Sequence, residues 1–143
     1  MIITCEKFFE EFITRYDLNL EKVNIKVKHM KRVKKVCEII AQNLNLSEEE
    51  IEVASIIGLL HDLGRFYQIE HYNTFDDNKS IDHAEASNII LFKEGYIEKF
   101  VPSTRRYDEI IRKAIEYHTE LGCVKRLLDQ NRILNLSALS FPQ

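Results

Sequence analysis

Glycine and proline are scarce in this chain, at 4 and 2 of 143 residues. No Asn-Gly or Asp-Gly pair occurs, so the tight-hairpin signals of an all-β fold are missing. There is no internal repeat and no low-complexity segment, which sets aside solenoids and disordered tracts. Long apolar runs are also missing: nothing approaches the roughly 20 residues that span a membrane. The opening residues, MIITCEKFFEEF, carry charge by Glu6 and do not read as a secretory leader. The three cysteines, Cys5, Cys37 and Cys123, are odd in number, far apart and in no CxxC pair. That excludes a disulfide framework and fits a reduced, cytoplasmic protein. No Ser or Cys stands in a recognisable nucleophile motif. A net charge of -3 gives no general attraction to polymeric nucleic acid or to an anionic membrane.

What is present is ordinary for a soluble globular protein, 45% hydrophobic and 30% charged residues. The length fits one domain, residues 1–143, with a core of its own. Helical periodicity dominates. Residues 5–17 carry Phe8, Phe9, Phe12 and Ile13 at helical spacing, a cluster that serves either as core or as a dimer surface. A second helix over 22–44 places Val23, Val27, Met30, Val33, Cys37, Ile40 and Leu44 on one stripe. Ser47 with Glu50 three residues on forms a capping-box signature for a third helix, 48–62. Asp82 with Glu85 repeats the signature before a fourth, 83–94, which Gly95 ends. Pro102 and Ser103 introduce a fifth, 104–120, stopped by Gly122. Residues 65–81 show no clean period and read as one long connection of the functional kind. The tail 123–143 is weakly helical. The expected fold is all-α, a compact single-domain bundle of five to six helices.

Four of the five histidines take up inward positions on four different helices. His29 shares a face with Val33, Val36 and Ile40, and His61 follows Ala54 and Ile57 at seven and four residues. His83 precedes Ala86 and Ile90 by three and seven, and His118 follows Ile111 and Ala114 by seven and four. One buried imidazole is usually a hydrogen-bonded core residue. Four of them, with Asp62 beside His61, need more partners than a helical core supplies. A shared divalent metal, one ion or two, satisfies them together. Neutral imidazole with carboxylate suits Mn, Fe, Ni, Co or Zn, and Mg enters through the carboxylate. Such an ion lowers the pKa of bound water. His83, in the first turn of its helix, is kept neutral by the macrodipole.

The set His29, His61-Asp62, His83 and His118 resembles the HD-domain superfamily of metal-dependent phosphohydrolases. The run HDLGRFYQIEHYNTFDDNKSIDHAEAS is similar to an uncharacterised bacterial subfamily of it, and the resemblance covers about residues 20–120. It implies that His29, His61 and Asp62 hold a first metal and that His83 and His118 complete a second, with Asp62 bridging. His61 and Asp62 then form the catalytic pair. The implied reaction is attack of metal-activated water on a phosphate ester, a nucleotide or related small molecule. In the superfamily a later aspartate closes the first metal site. Here Asp129, in RLLDQNRILNL, is the only aspartate after His118, and its surroundings differ. Three explanations follow: the chain is truncated or altered after about residue 122, Asp129 substitutes, or the first site is open. The departure also supports an alternative reading, a non-catalytic metal- or nucleotide-binding regulatory module.

Most of the basic run Lys26, Lys28, Lys31, Arg32, Lys34 and Lys35 reads as a solvated helix face. Arg32, one turn from His29, is a candidate phosphate contact. Arg65, just after the dipeptide, is either a second contact or a cation at a helix C-terminus. Tyr72 and Thr74, in the long connection with His71 and Phe75, are candidate walls of a substrate pocket that offers a ring for stacking. Glu85 is a capping carboxylate or an acceptor that orients a liganding histidine. Self-association remains open.

Overall fold

A computed structural model describes residues 1–118. Expectations for Gly122, Cys123, Asp129 and the tail lie outside them. Within them every regular element is helical, so the fold is all-α as expected. In chain order the helices are α1 (Ile2–Ile13), α2 (Glu21–Asn43), α3 (Glu48–Leu60), α4 (Gly64–Tyr72), α5 (His83–Asn88), α6 (Ile97–Phe100) and α7 (Asp108–Glu116). α6 is a single turn, and α5 runs on as a π-helical segment over Ile89–Lys93.

Helix α3 is the axis around which the rest packs. It touches α1, α2 and α7, and every residue from Val53 to Leu60 is buried. A helix that is apolar all round has to be covered all round. Its start is the expected capping box: Ser47 accepts the Glu50 N–H at 3.2 Å, and Glu50 accepts the Ser47 N–H at 3.0 Å. α2 lies antiparallel along it, with Cys37 and Ala41 packed on Ala54. Gly58 is the closest approach, because a Cβ there would meet Cys37 Sγ, Lys34 Cα and Val33 O at 2.9 Å each. That register sets His29, one turn before Val33, against the His61-Asp62 end of α3.

The second helix buries Val23, Val27, Met30, Cys37 and Ala41, whereas Val36 is 52% exposed. The stripe is thus turned slightly from the one expected, and His29 stands at its edge. The aromatic cluster of α1 is core: Phe9 and Phe12 are buried and Phe8 packs on Phe100 with ring centroids 4.7 Å apart. α1 itself starts and ends earlier than the spacing suggests, closing at Thr14, whose hydroxyl donates to Glu11 O.

The largest difference lies after the dipeptide. Residues 65–72, expected as part of a connection, form α4 together with Gly64. Its period is hidden in the sequence because Gln68 occupies a fully buried position beside Phe66. Asn73, in the left-handed conformation at φ 51°, ends the helix, and 73–82 connect it to the next with one 3-10 turn at Asp77–Lys79. Gly95 ends the fourth predicted helix at φ 81°, as expected. The next, expected from residue 104, begins only at Asp108. Arg105 instead reaches back to the carbonyls of Val101 and Ile97, closing a turn, and α7 starts after the buried Tyr107. Among the described residues no helix is long and apolar enough to cross a membrane.

Gly64, first residue of α4, has no room for a side chain: a Cβ would overlap the His83 carbonyl oxygen and lie 2.6 Å from Ser87 N. Gly64→Ala should therefore lower the unfolding free energy by about 1–3 kcal/mol, the usual cost of overpacking. Urea denaturation followed by circular dichroism tests this; an unchanged midpoint would mean that α4 and α5 are not in contact.

Candidate metal centre

The five residues singled out by spacing come together at one end of α3. Asp62 is central, its side chain 5% exposed. Oδ2 lies 3.5 Å from His29 Nε2 and 3.7 Å from His61 Nε2. Oδ1 lies 3.6 Å from His83 Nε2 and 3.4 Å from His118 Nε2. The donors fall into two groups that share Asp62, one with His29 and His61, the other with His83 and His118.

Three of the four rings are aimed by a bond on the other nitrogen. His61 follows α3, whose last carbonyls have no partner within the helix. Its Nδ1–H donates to Gly58 O at 2.7 Å. His118, just past α7, repeats the device with Ile115 O at 2.6 Å. His83 opens α5 and has its Nδ1 2.7 Å from Asp77 Oδ2. A carbonyl or carboxylate can only accept, so the proton of each neutral ring sits on Nδ1. Nε2 is then a bare lone pair, and three such lone pairs face an acceptor-only carboxylate. His83 Nε2 and His118 Nε2 are 3.1 Å apart with no proton to share.

This arrangement repels itself unless a cation lies among the atoms, and it fits a divalent metal. Bonds of about 2.0–2.2 Å leave neighbouring ligand atoms about 3–3.5 Å apart. Each imidazole Nε2 lies 3.4 to 3.7 Å from an Asp62 oxygen, His83 and His118 Nε2 are 3.1 Å apart, and the ligand atoms of each group all fall within 4.8 Å of one another. The partial negative charge at the ends of α3 and α7 adds to the attraction.

Protonation states agree with this chemistry. Burial pushes the His61 imidazole down to about 4 against the pull of Asp62, so it is neutral at physiological pH. Burial also lowers His29, with Lys26, Arg32 and Arg65 acting in the same direction. His83 is lowered by burial although its bond to Asp77 opposes the shift. Burial alone would raise Asp62; a hydrogen bond from His118 and positive charge on the surrounding imidazoles would hold the carboxyl below its usual range, and where the rings are neutral that place falls to a cation. The buried Cys5 thiol is pushed up to about 12 and is no nucleophile.

The remaining predicted residues divide. Arg32 is exposed on α2, near enough to His29 to perturb it. Arg65 lies in the first turn of α4, not at a helix C-terminus, and its Nη1 is bonded to Gln68, Phe75 and Asp77. Phe75 does not offer a bare ring, since Lys26 and Arg65 lie 5.5 and 5.9 Å from its centroid. Tyr72, 46% exposed, and Thr74, whose hydroxyl accepts the Asp76 N–H, take no part in the contacts among the described residues that build the centre. His71 points elsewhere, against Tyr67. Glu85 is exposed and orients no histidine; Asp82 caps α5 through the Ala84 N–H.

Two contributors escaped the sequence reading. One is Asp77, the carboxylate behind His83. The other is Ser87, whose hydroxyl accepts the Gly64 N–H at 2.7 Å and lies 3.1 and 2.9 Å from the carbonyls of His61 and His83. It ties the corner after the dipeptide to α5. The repeated aspartate in TFDDNK was the only signal for Asp77; Ser87 had none.

The HD domain family matches residues 27–137, a span that includes all five residues of the centre. The chain belongs to that family, and with it to a superfamily of metal-dependent phosphohydrolases. Neither the curated proteins nor the solved structures contain a match to the chain.

Two outcomes are expected. In chelator-treated protein, residue 61 of the unfolded chain takes a proton near pH 6.5, while the native ring resists it down to about 4. The unfolded state therefore binds more protons in that window, and stability falls as pH is lowered through it, by roughly 3 kcal/mol for this group. Thermal melting from pH 7 to 4 should show the decline, and His61→Gln should flatten it. With Mn2+ or Ni2+ present, melting should shift upward, by about 2.7 kcal/mol in stability at 100 times the dissociation constant. No shift with any divalent ion, together with no metal by elemental analysis, would refute the metal reading.

Proposed function

We propose that this HD-domain protein hydrolyses a phosphate ester, of a nucleotide or related small molecule, at a centre of His29, His61, Asp62, His83 and His118. The observation that carries the reading is the convergence of four imidazole Nε2 atoms on the buried Asp62 at 3.4 to 3.7 Å. One or two divalent ions held there, Mn, Fe, Ni, Co, Zn or Mg, supply activation of water and neutralisation of phosphate charge.

The residues of the chain divide the remaining work. Asp62 offers an oxygen to each half and bridges them. His61, buried and neutral, keeps its lone pair available across the working pH range. Lys26 and Arg32, with the charge of Arg65, place positive potential around His29, whose side chain at 37% exposure marks the open side of the centre. An anionic ester approaching from there meets those cations first. Arg65 Nη1 is already engaged, so direct phosphate contact falls mainly to Arg32 and Lys26. Tyr72 and Thr74 are the proposed pocket walls. Hydrolysis adds water across the P–O bond: phosphorus gains the water oxygen, the ester oxygen leaves, and it takes up a proton.

The regulatory alternative rests on the altered surroundings of Asp129, which lies outside the described residues. Turnover separates the two readings. Metal-replete protein should hydrolyse a generic phosphodiester or a nucleotide, and Asp62→Ala should reduce the rate to background. Arg32→Ala should raise KM more than it lowers kcat. Nucleotide binding by calorimetry with no hydrolysis of any phosphate ester would select the regulatory module instead.

A further inference from the structure

Three of the histidines are aimed by their Nδ1 atoms, and one is aimed differently from the other two. His61 and His118 use carbonyls from the helices that precede them. His83 has no such choice, because a helix N-terminus presents unpaired N–H groups and no free carbonyl. Its acceptor has to come from another part of the chain. Asp77 provides it, with Oδ2 2.7 Å from Nδ1 and 3.4 Å from the His83 backbone N.

Asp77 is in turn held from behind. Oδ1 accepts from Gln68 Nε2 at 2.8 Å and from Arg65 Nη1 at 3.2 Å. Gln68 is fully buried, and its amide nitrogen also reaches Ser80 Oγ at 3.2 Å and Ile81 O at 2.9 Å. Arg65 Nη1 joins the Gln68 side-chain oxygen at 3.1 Å and Phe75 O at 2.8 Å. The loop between α4 and α5 is thus folded over one buried amide and one guanidinium, and that places a carboxylate behind His83.

We propose that Asp77, clamped by Gln68 and Arg65, is the positioning residue of His83 and sets the affinity of the Asp62–His83–His118 half of the centre for a divalent cation. The inference rests on the metal reading above. A carboxylate behind a liganding imidazole fixes the tautomer and makes the ring a stronger donor, an effect of about 10–100-fold in metal affinity. The other half, with His29 and His61, receives no such help from Asp77. Asp77, Asp82 and His83 could themselves be taken for a third cation site, since their ligand atoms lie within 4.8 Å of one another. His83 Nδ1 already gives its proton to Asp77, so that group is a hydrogen-bonded support.

The test is a Mn2+ titration by calorimetry on the full chain. In a His29→Ala background, which isolates the second half, Asp77→Leu should weaken Mn2+ binding by about 10–100-fold. Asp77→Asn should weaken it less, because its carbonyl can still accept the Nδ1–H. In a His83→Ala background Asp77→Leu should change nothing. Equal affinity with and without Asp77→Leu, in variants folded by circular dichroism, would overturn the proposal alone. An equal loss in the His83→Ala background would also overturn it, because the effect would not pass through His83. Wild-type protein that takes up no Mn2+ would overturn the metal reading and the affinity claim together. In that case 15N spectra of metal-free protein separate the two failures: wild type keeps the Nδ1–H form of His83 and Asp77→Leu loses it if the positioning holds.

Discussion

A buried negative charge at the end of a buried helix is the constraint from which the rest of this structure follows. Taking a lone carboxylate out of water costs several kcal/mol even after relaxation. Asp62 is almost wholly covered and remains ionised, so its surroundings have to compensate it. They do so with four imidazoles from four parts of the chain. Burial holds His29, His61 and His83 below the ordinary imidazole value, and three of the four rings point lone pairs at the charge. The compensation is therefore incomplete without a cation. That incompleteness is the physical content of the metal reading.

Bringing those parts within about 3.5 Å of one carboxylate demands backbone contacts that ordinary side chains would prevent. Gly58 lets α2 lie against α3 in the register that delivers His29. Gly64 lets α4 start under the first turn of α5, and Ser87 pins that corner to the carbonyls of His61 and His83. Two of the four glycines are spent within six residues of each other, one on each side of the dipeptide. The two halves that result are unlike. The His29 half is open and ringed by Lys26, Arg32 and Arg65. The His83 half is closed and backed by Asp77. Charge on the open side suits an incoming anion, and charge on the closed side suits a resident cation.

Much of this is legible in the sequence. The capping box of α3 is a local pairing of Ser47 with Glu50 and needs nothing from the rest of the chain. The inward placement of His61, His83 and His118 followed from periodicity, because burial of one stripe decides which residues can meet. Arg65 and Glu85 show where such reasoning stops. For each, one of two open readings rested on position relative to a helix end; Arg65 belongs to a helix that was not expected, and Glu85 is exposed and orients no histidine. Gln68 explains both the missing helix and the missing ligand support. A polar side chain at a core position breaks the apolar period, so α4 was read as loop, and the loop it clamps is the one that carries Asp77.

The sequence by itself determined the helical class, the main helices, and the set of histidines with Asp62, because those depend on local propensity and on a repeat of about 3.6 residues. Only the tertiary structure decided that these residues share one carboxylate in two halves, that His29 sits at the rim, and that Asp77 stands behind His83. Those relations depend on register between helices and on side chains far apart in the chain meeting across a buried contact. No local pattern carries that information.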